Sequence, residues 1–360
     1  MATTSTGSPA AAPSAQAAIL ALFDRYSAVG GFSPAHGNKD VDDFLLGLIR
    51  NPALPGKVTD LAIECGNSRY QAALDQYVGV AESADTGSRP TDAQIAEVWR
   101  DTTQPTCAFS TFYEQLVPLV KDLNSRLPAA QRLRILALDP PVDWSKVRSA
   151  ADLAPYRERE TTIAKVMETE VFAKHRKALL LIGSNHVRHG QAAAALWEKD
   201  YPNLTYSIAT HERFTKDAET LEPKLATGAG VLTPTLTNVR GSFLADLDSS
   251  VFPDGITDDN TGGTTDGHGP AAANHAPGST NASASPQASK GYPGIDGYLY
   301  VGPSRLLLSA PISPTTATDQ AFLAEAERRA KAIDAPADAP MHPANVINQA
   351  AKQSVLLYAS

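Results

Sequence analysis

The chain has 360 residues, 42% of them hydrophobic and 19% charged, with a net charge of −8. That length allows one large domain or two small ones, with a sizeable core. The acidic balance and scattered Lys and Arg exclude a basic nucleic-acid-binding face, and no segment reaches the roughly 18 apolar residues needed to span a bilayer.

Residues 1–16 are small and polar and read as a disordered leader. They lack the basic residues of a signal peptide, so the expected compartment is the cytoplasm. Residues 17–26 suit a short helix or a first strand, and Gly30-Gly31 reads as a turn into an irregular stretch, 32–38. Residues 41–50 carry apolar side chains at 41, 44, 45, 48 and 49, a helical period, and Pro52 and Pro55 close it. Residues 58–64 (VTDLAIE) read as a buried strand. A turn at Gly66-Asn67 follows, then a helix over 68–77 with Ser68 as candidate N-cap. After a polar loop at 80–90, helices are expected at 92–100 and 111–126, the second kinked at Pro118. The strand 133–138 (LRILAL) stops at Asp139-Pro140-Pro141. An amphipathic helix is expected over 157–176, an apolar strand over 178–182 (ALLLI), a helix over 191–199 and a strand over 204–209.

Composition then collapses to Gly, Thr, Asp, Asn, Ala, Ser and Pro over 253–293. That segment cannot bury enough apolar area to offset its ordering entropy, and its two histidines, His268 and His275, read as solvated. A strand at 295–301 and a helix near 319–333 follow. The resulting division is a leader (1–16), an α/β core (17–252), a disordered low-complexity insert (253–293), a strand and helix completing the core (294–333) and a loosely packed tail (334–360). Alternating strands and helices predict an α/β fold, a mainly parallel sheet with helices on both faces. Cys65 and Cys107 are the only cysteines. They exclude a disulfide framework, and two free thiols are expected, with one bridge as the alternative.

In parallel sheets ligands bind beyond the carboxyl ends of the strands, and four residues stand at such ends. His36, in an irregular loop, can act as a general base near neutral pH or simply cap backbone. Glu64 closes an apolar strand, where a carboxylate needs a partner or a cleft; it can orient an imidazole or hold the following turn. Asp139 precedes two prolines and is either a site carboxylate or a turn former. His186 follows Gly183, whose flexibility turns it toward the cleft, and His189 lies three residues on, a spacing that could ligate a metal or leave it solvated. The chain has no G-x-S-x-G, H-E-x-x-H, Walker or G-x-G-x-x-G motif.

The stretches 44–52, 63–71, 98–103, 138–144 and 298–303, together with Gly183 to His186, resemble the erythromycin-esterase/ChaN/Tiki-TraB superfamily, above all its bacterial members, over about residues 20–215 and 295–330. The superfamily carries two G-x-x-H motifs with a strand-end glutamate between them. The second motif is intact at Gly183–His186, Glu64 matches the glutamate, and the first is altered, with two extra residues between Gly31 and His36 and no acidic residue after the glycine. A partner carboxylate for His36 must then come from Glu64, Asp40 or Asp139. The resemblance implies a hydrolase of an ester, lactone or amide, with His36 activating water, Glu64 orienting it, His186 stabilising the carbonyl oxygen and Asp139 as a further catalytic candidate. Asn67, Arg69, Tyr70, Gln71 and Trp144 are the candidate ligand-binding residues.

Other members of the superfamily imply other chemistry. The Tiki-type proteins imply a divalent metal held by His36, Glu64 and His186. The ChaN-type proteins imply haem binding without catalysis, with His36, His186 or Tyr70 as axial ligands. A third alternative is a degenerate member kept for a protein–protein role. The expected partner is a small-molecule substrate or ligand, with no nucleic acid and no membrane insertion.

Overall fold

A computed structural model of the chain describes residues 13–81, 90–226, 230, 232–253, 290–352 and 355–358. Seven strands form its centre: β1 Ala28–Gly30, β2 Asp60–Asn67, β3 Arg134–Asp139, β4 Ala178–Leu181, β5 Thr205–Thr210, β6 Thr235–Asn238 and β7 Gly297–Tyr300. They make one sheet in the order β3-β2-β4-β1-β5-β7-β6. Every neighbouring pair is parallel except β6 against β7.

The pleat sends successive residues to opposite faces, and both faces are covered. Leu61, Ile63, Leu179 and Leu181 pack in one core, beneath the helices Lys39–Ile49, Gln71–Val78, Asp92–Arg100 and Thr111–Arg126. Ala62, Leu180 and Ile182 pack in the other, beneath Arg159–Val166 and Ala192–Trp197. A sheet buried on both sides is what a continuous apolar run such as ALLLI encodes. The fold is therefore α/β, as the alternation of elements predicts.

Several local expectations change. Gly30, read from the sequence as part of a turn, ends β1, which is hydrogen-bonded between β4 and β5. Three residues are too few for periodicity to register. Glycine is required there: Gly30 and Gly31 have φ of +148° and +120°, and an added Cβ would lie 2.3 Å from the Leu180 and Ile208 carbonyl oxygens respectively. Residues 157–176 are not one regular helix, because Arg159–Val166 gives way to a π-helical turn, Met167–Phe172. Pro118 lies inside Thr111–Arg126 without ending it. The antiparallel strand β6 has no counterpart in the sequence reading, since its half-buried TLTN carries no clear apolar alternation. Pro343–Lys352 is helical. Residues 1–12 and 254–289, with His268 and His275, lie outside the described residues.

The cysteines are not free thiols. Cys65 on β2 and Cys107 in the short helix Pro105–Phe109 form a disulfide, with Cα atoms 5.9 Å apart. Their separation of 42 residues says nothing of this contact; it arises because residues 101–109 fold over the carboxyl end of β2, where Asp101 O accepts a 2.9 Å bond from Asn67 Nδ2. No helix among the described residues is long and apolar enough to cross a membrane.

Replacing both cysteines, Cys65→Ala with Cys107→Ala, is expected to lower unfolding stability by about 2–4 kcal/mol. Urea unfolding reads it directly, and a midpoint equal to that of the native chain would contradict a formed bridge.

Candidate functional site

The carboxyl ends of β2, β3, β4 and β1 meet at one edge of the sheet, and the polar residues that follow them form a connected cluster. Its centre is Glu64, 2% exposed at residue level. Five donors converge on its carboxylate. Oε2 accepts the Gly183 N–H at 2.8 Å and faces His36 Nε2 at 3.3 Å. Oε1 accepts Gln104 Nε2 at 3.1 Å and Arg159 Nη2 at 3.3 Å, and faces His186 Nε2 at 3.3 Å. Burial alone would raise the Glu64 pKa; the charges of His186 and His36 outweigh it and hold the group well below its ordinary 4.5.

An ionised carboxylate only accepts, so both imidazoles carry their proton on Nε2 toward it. The two rings differ in everything else. The His36 side chain is 31% exposed, with Nε2 turned inward to Glu64, and its Nδ1 has no hydrogen-bond partner among the described residues. Burial lowers its pKa, Glu64 raises it more, and the net shift is upward from 6.5. His186, on the short helix Ser184–Val187, is 8% exposed. Its Nδ1 lies 2.6 Å from Glu160 Oε1. Against the opposing effect of burial, Glu64 and Glu160 push the His186 pKa up to about 10, so the ring is an imidazolium at neutral pH.

The loop that presents His36 is strained. Ser33 and Ala35 have φ of 52° and 67°, a region that side-chain-bearing residues rarely adopt. Two contacts hold it: Ser33 N–H to the Ile182 carbonyl at 2.9 Å, and Ala35 N–H to Asp42 Oδ1 at 2.9 Å. Burial raises Asp42 to about 7. Of the three carboxylates considered as partners for His36, Glu64 makes the contact. Asp40 accepts the Leu308 N–H at 2.7 Å. Asp139 is fully buried and accepts from Arg159 Nε at 2.8 Å and Thr103 N–H at 2.6 Å. Burial raises the Asp139 pKa and is only partly offset by Arg159. Asp139 thus joins the cluster through Arg159, which bridges it to Glu64.

The candidate ligand-binding residues divide. Asn67 is fully buried and ties loops together, donating to the Asp101 and Val142 carbonyls at 2.9 Å. Gln71 satisfies the open edge of β3, donating to Ile135 O at 2.9 Å and accepting from Ala137 N–H at 2.8 Å. Trp144 is 4% exposed and donates to Asp101 O at 3.1 Å. Asn67 and Gln71 serve the fold, whereas Trp144, though buried, also lines the groove that Arg69 and Tyr70 border. Arg69, on Asp143 at 2.7 Å, and Tyr70, whose hydroxyl donates to Asp101 Oδ2 at 2.6 Å, line an open groove beside the cluster. His189 lies apart from Glu64, with its ring nitrogens on Glu198 and, at 2.7 Å, Asp296.

Sequence reading passed over Arg159, Glu160, Gln104 and Asp42. A signal existed for two of them. Arg159 falls in register with buried Ile163 and Met167, and Glu160 with buried Ala164 and Val171, so polar residues occupy the apolar stripe of that helix at its start. Gln104 and Asp42 gave no such sign, because their roles depend on how loops fold back.

The cluster does not fit a metal ion. A carboxylate offers about four lone-pair sites, and the five donors on Glu64 already include the Arg159 guanidinium, whose charge opposes a second cation. Among the described residues no group of three or more His, Cys, Asp or Glu is arranged to hold a metal. Of the three candidate haem ligands, both His186 nitrogens and the Tyr70 hydroxyl are engaged by carboxylates, and only His36 keeps a ring nitrogen unengaged.

No family model matches the chain, and no curated protein matches it. Among solved structures, a protein from Bacillus cereus aligns with 54% of this chain and 68% of its own at 13% identity and a TM-score of 0.34, a likeness too slight to bear on fold or function.

Arg159→Ala leaves two buried carboxylates without their shared cation and is expected to cost about 3–5 kcal/mol of stability, measured by urea unfolding. The pH dependence follows from the shifts. His186, raised from 6.5 to about 10, contributes stability fully below 6.5 and loses it as pH rises through 10. Glu64, lowered from 4.5, contributes above 4.5 and loses it as pH falls through its folded value. These two groups together contribute most between about pH 4.5 and 6.5, while Asp42, raised from 3.8 to about 7, favours the fold less as pH rises through that range; a urea midpoint that climbs steadily from pH 6.5 to 10 would contradict the cluster.

Proposed function

We propose that the chain is a hydrolase of the erythromycin-esterase-like type, acting on the carbonyl of an ester, lactone or amide. One observation carries this reading: a buried carboxylate holds two imidazoles, one partly open to solvent with an unengaged nitrogen, the other enclosed and charged. Environments that push paired titratable groups apart assign the acid and base roles.

In this mechanism Glu64 fixes His36 as the tautomer protonated on Nε2. Nδ1 then takes a proton from water as the water attacks the carbonyl carbon. General-base action of this kind supplies roughly 10²–10⁴-fold. The remainder comes from fixed charge aimed at the developing oxyanion. His186 provides that charge. Its contact with Glu160 at 2.6 Å is short, and its contact with Glu64 at 3.3 Å is long, so the Nε2 proton is the one that shifts toward the substrate oxygen. Asp139 acts at one remove, by holding Arg159 against Glu64. The ligand is a small molecule, and no step passes through a metal or haem. The Cys65–Cys107 bridge favours an oxidising compartment over the cytoplasm expected from the sequence.

His36→Ala is expected to lower kcat/KM on a responsive ester or lactone by about 10²–10⁴-fold. A hydrolase with His36 as base also requires a rate that rises with pH through a pKa above 6.5, because only neutral His36 accepts the proton. Glu64→Gln removes the charge that raises that pKa and moves the limb to lower pH. Undiminished turnover in His36→Ala sinks the assignment.

A further inference from the structure

The open groove near the cluster offers about 680 Å³, within the range of roughly 300–1,000 Å³ that small-molecule sites occupy. Four arginines line it against three carboxylates, an excess of positive charge in a chain whose net charge is −8. The four arginines are not equivalent. Arg328 donates to the Val147 and Trp144 carbonyls at 3.1 and 2.8 Å and pairs with Glu325 at 2.7 Å. Arg329 is 8% exposed, pairs with Glu325 and Asp101, and lies 5.1 Å from the Trp144 ring centroid. These two build the wall, and their charge is answered within it.

Arg69 and Arg148 differ. The Arg69 side chain is 45% exposed and places only Nη1 on Asp143, at 2.7 Å. Asp143 is shared with Lys146 at 3.2 Å and with the Ser145 hydroxyl at 2.6 Å, so it does not neutralise Arg69 alone. Arg148 is exposed, and its guanidinium makes no hydrogen bond or ion pair among the described residues. Two guanidinium forks thus project into a space of small-molecule size, and the fork geometry matches carboxylate and phosphate oxygens.

We propose that this groove binds the carboxylate or phosphate group of a small-molecule ligand, with Arg69 and Arg148 as its donors. The groove adjoins the Glu64 cluster along two chain segments. Asp101 lines the groove, and Gln104, three residues on, donates to Glu64; their Cα atoms are at most about 11 Å apart. Asp143 lines the groove and Asp139 belongs to the cluster. None of the groove's lining residues belongs to the Glu64 cluster, so a ligand held at Arg69 and Arg148 must extend beyond the groove for its other end to meet the cluster. Resting on the hydrolase reading, the substrate class is an ester, lactone or amide that also carries an acidic group.

The test is calorimetric titration of the full chain with citrate and, separately, inorganic pyrophosphate, at low and high salt. Saturable binding of either probe, weakened by salt and weakened about 10- to 100-fold in Arg69→Ala and Arg148→Ala, supports the site. Which probe binds tells carboxylate from phosphate. Arg148→Ala removes no side-chain hydrogen bond or ion pair among the described residues, only a Coulombic influence on exposed Asp152, so it keeps the test valid if Arg69→Ala unfolds. Arg126→Ala, on an exposed helix-surface pair with Asp122, serves as the control and should bind as the native chain does. No saturable binding of either probe, or equal binding in both groove variants, overturns the proposal. His36→Ala should bind the probes unchanged. Anion binding without turnover of any ester would therefore fault the hydrolase reading alone, whereas turnover of neutral esters without anion binding would fault the groove alone.

Discussion

The ionised carboxylate of Glu64, buried at the end of β2, is the constraint on which the rest of this structure depends. An uncompensated charge in that position would cost several kcal/mol, and no single partner is close enough to offset it. Compensation comes from five donors on four segments: His36 after β1, Gln104 in the loop over β2, Arg159 at a helix start, and Gly183 and His186 after β4. Each segment has its own reason to be there. Parallel strands place their carboxyl ends at one edge, the glycines of the β1 end let the His36 loop leave between β4 and β5, and the Cys65–Cys107 bridge holds the Gln104 loop down.

One consequence is a division of charge between two chemically identical side chains. Both imidazoles face the same carboxylate at 3.3 Å, yet only His186 has a second carboxylate on its other nitrogen. Glu160 therefore decides which ring is held as a cation and which keeps a nitrogen unengaged. Glu160 is in turn fixed by the Ala193 N–H at 2.9 Å on its second oxygen. A packing contact between two helices on the far face of the sheet thus reaches the electrostatics of the site edge.

The predictions above rest on residues that were legible in the sequence to very different degrees. His36, Glu64, Asp139 and His186 stood out because each follows or closes an apolar segment, where a polar residue has few structural reasons to be. The parallel strands of four to eight residues were legible for the same cause, whereas the four-residue antiparallel β6 was not. β1 was not, because three residues carry no period, although it is central to the sheet. Arg159 and Glu160 were readable in principle as polar intrusions on an apolar stripe, but an amphipathic helix is normally scored on what it buries. Gln104 and the disulfide were beyond reach, because each is made by a loop returning to a distant strand, and Asp42 because the His36 loop folds back onto its helix; local pattern has no term for either return. Asn67 and Trp144 show that polar or aromatic character near a site also serves the fold: both bury themselves to satisfy loop carbonyls, and Trp144 lines the groove as well.

The loop over β2 joins the remaining parts. Asp101 faces the groove, Thr103 donates to Asp139, Gln104 donates to Glu64 and Cys107 is bonded to Cys65. Seven consecutive residues thus touch both the arginine-lined space and the charge cluster. Asn67 and Trp144 fasten the same loop through the Asp101 carbonyl. A segment held at so many points cannot move one contact without disturbing the others, so the spacing between groove and cluster is set by covalent and hydrogen-bonded geometry before any ligand arrives. Sites that bind two ends of one molecule gain most from such preorganisation. The disulfide, which ties the same loop to β2 and contributes to neither region directly, is then best understood as a covalent anchor of that spacing.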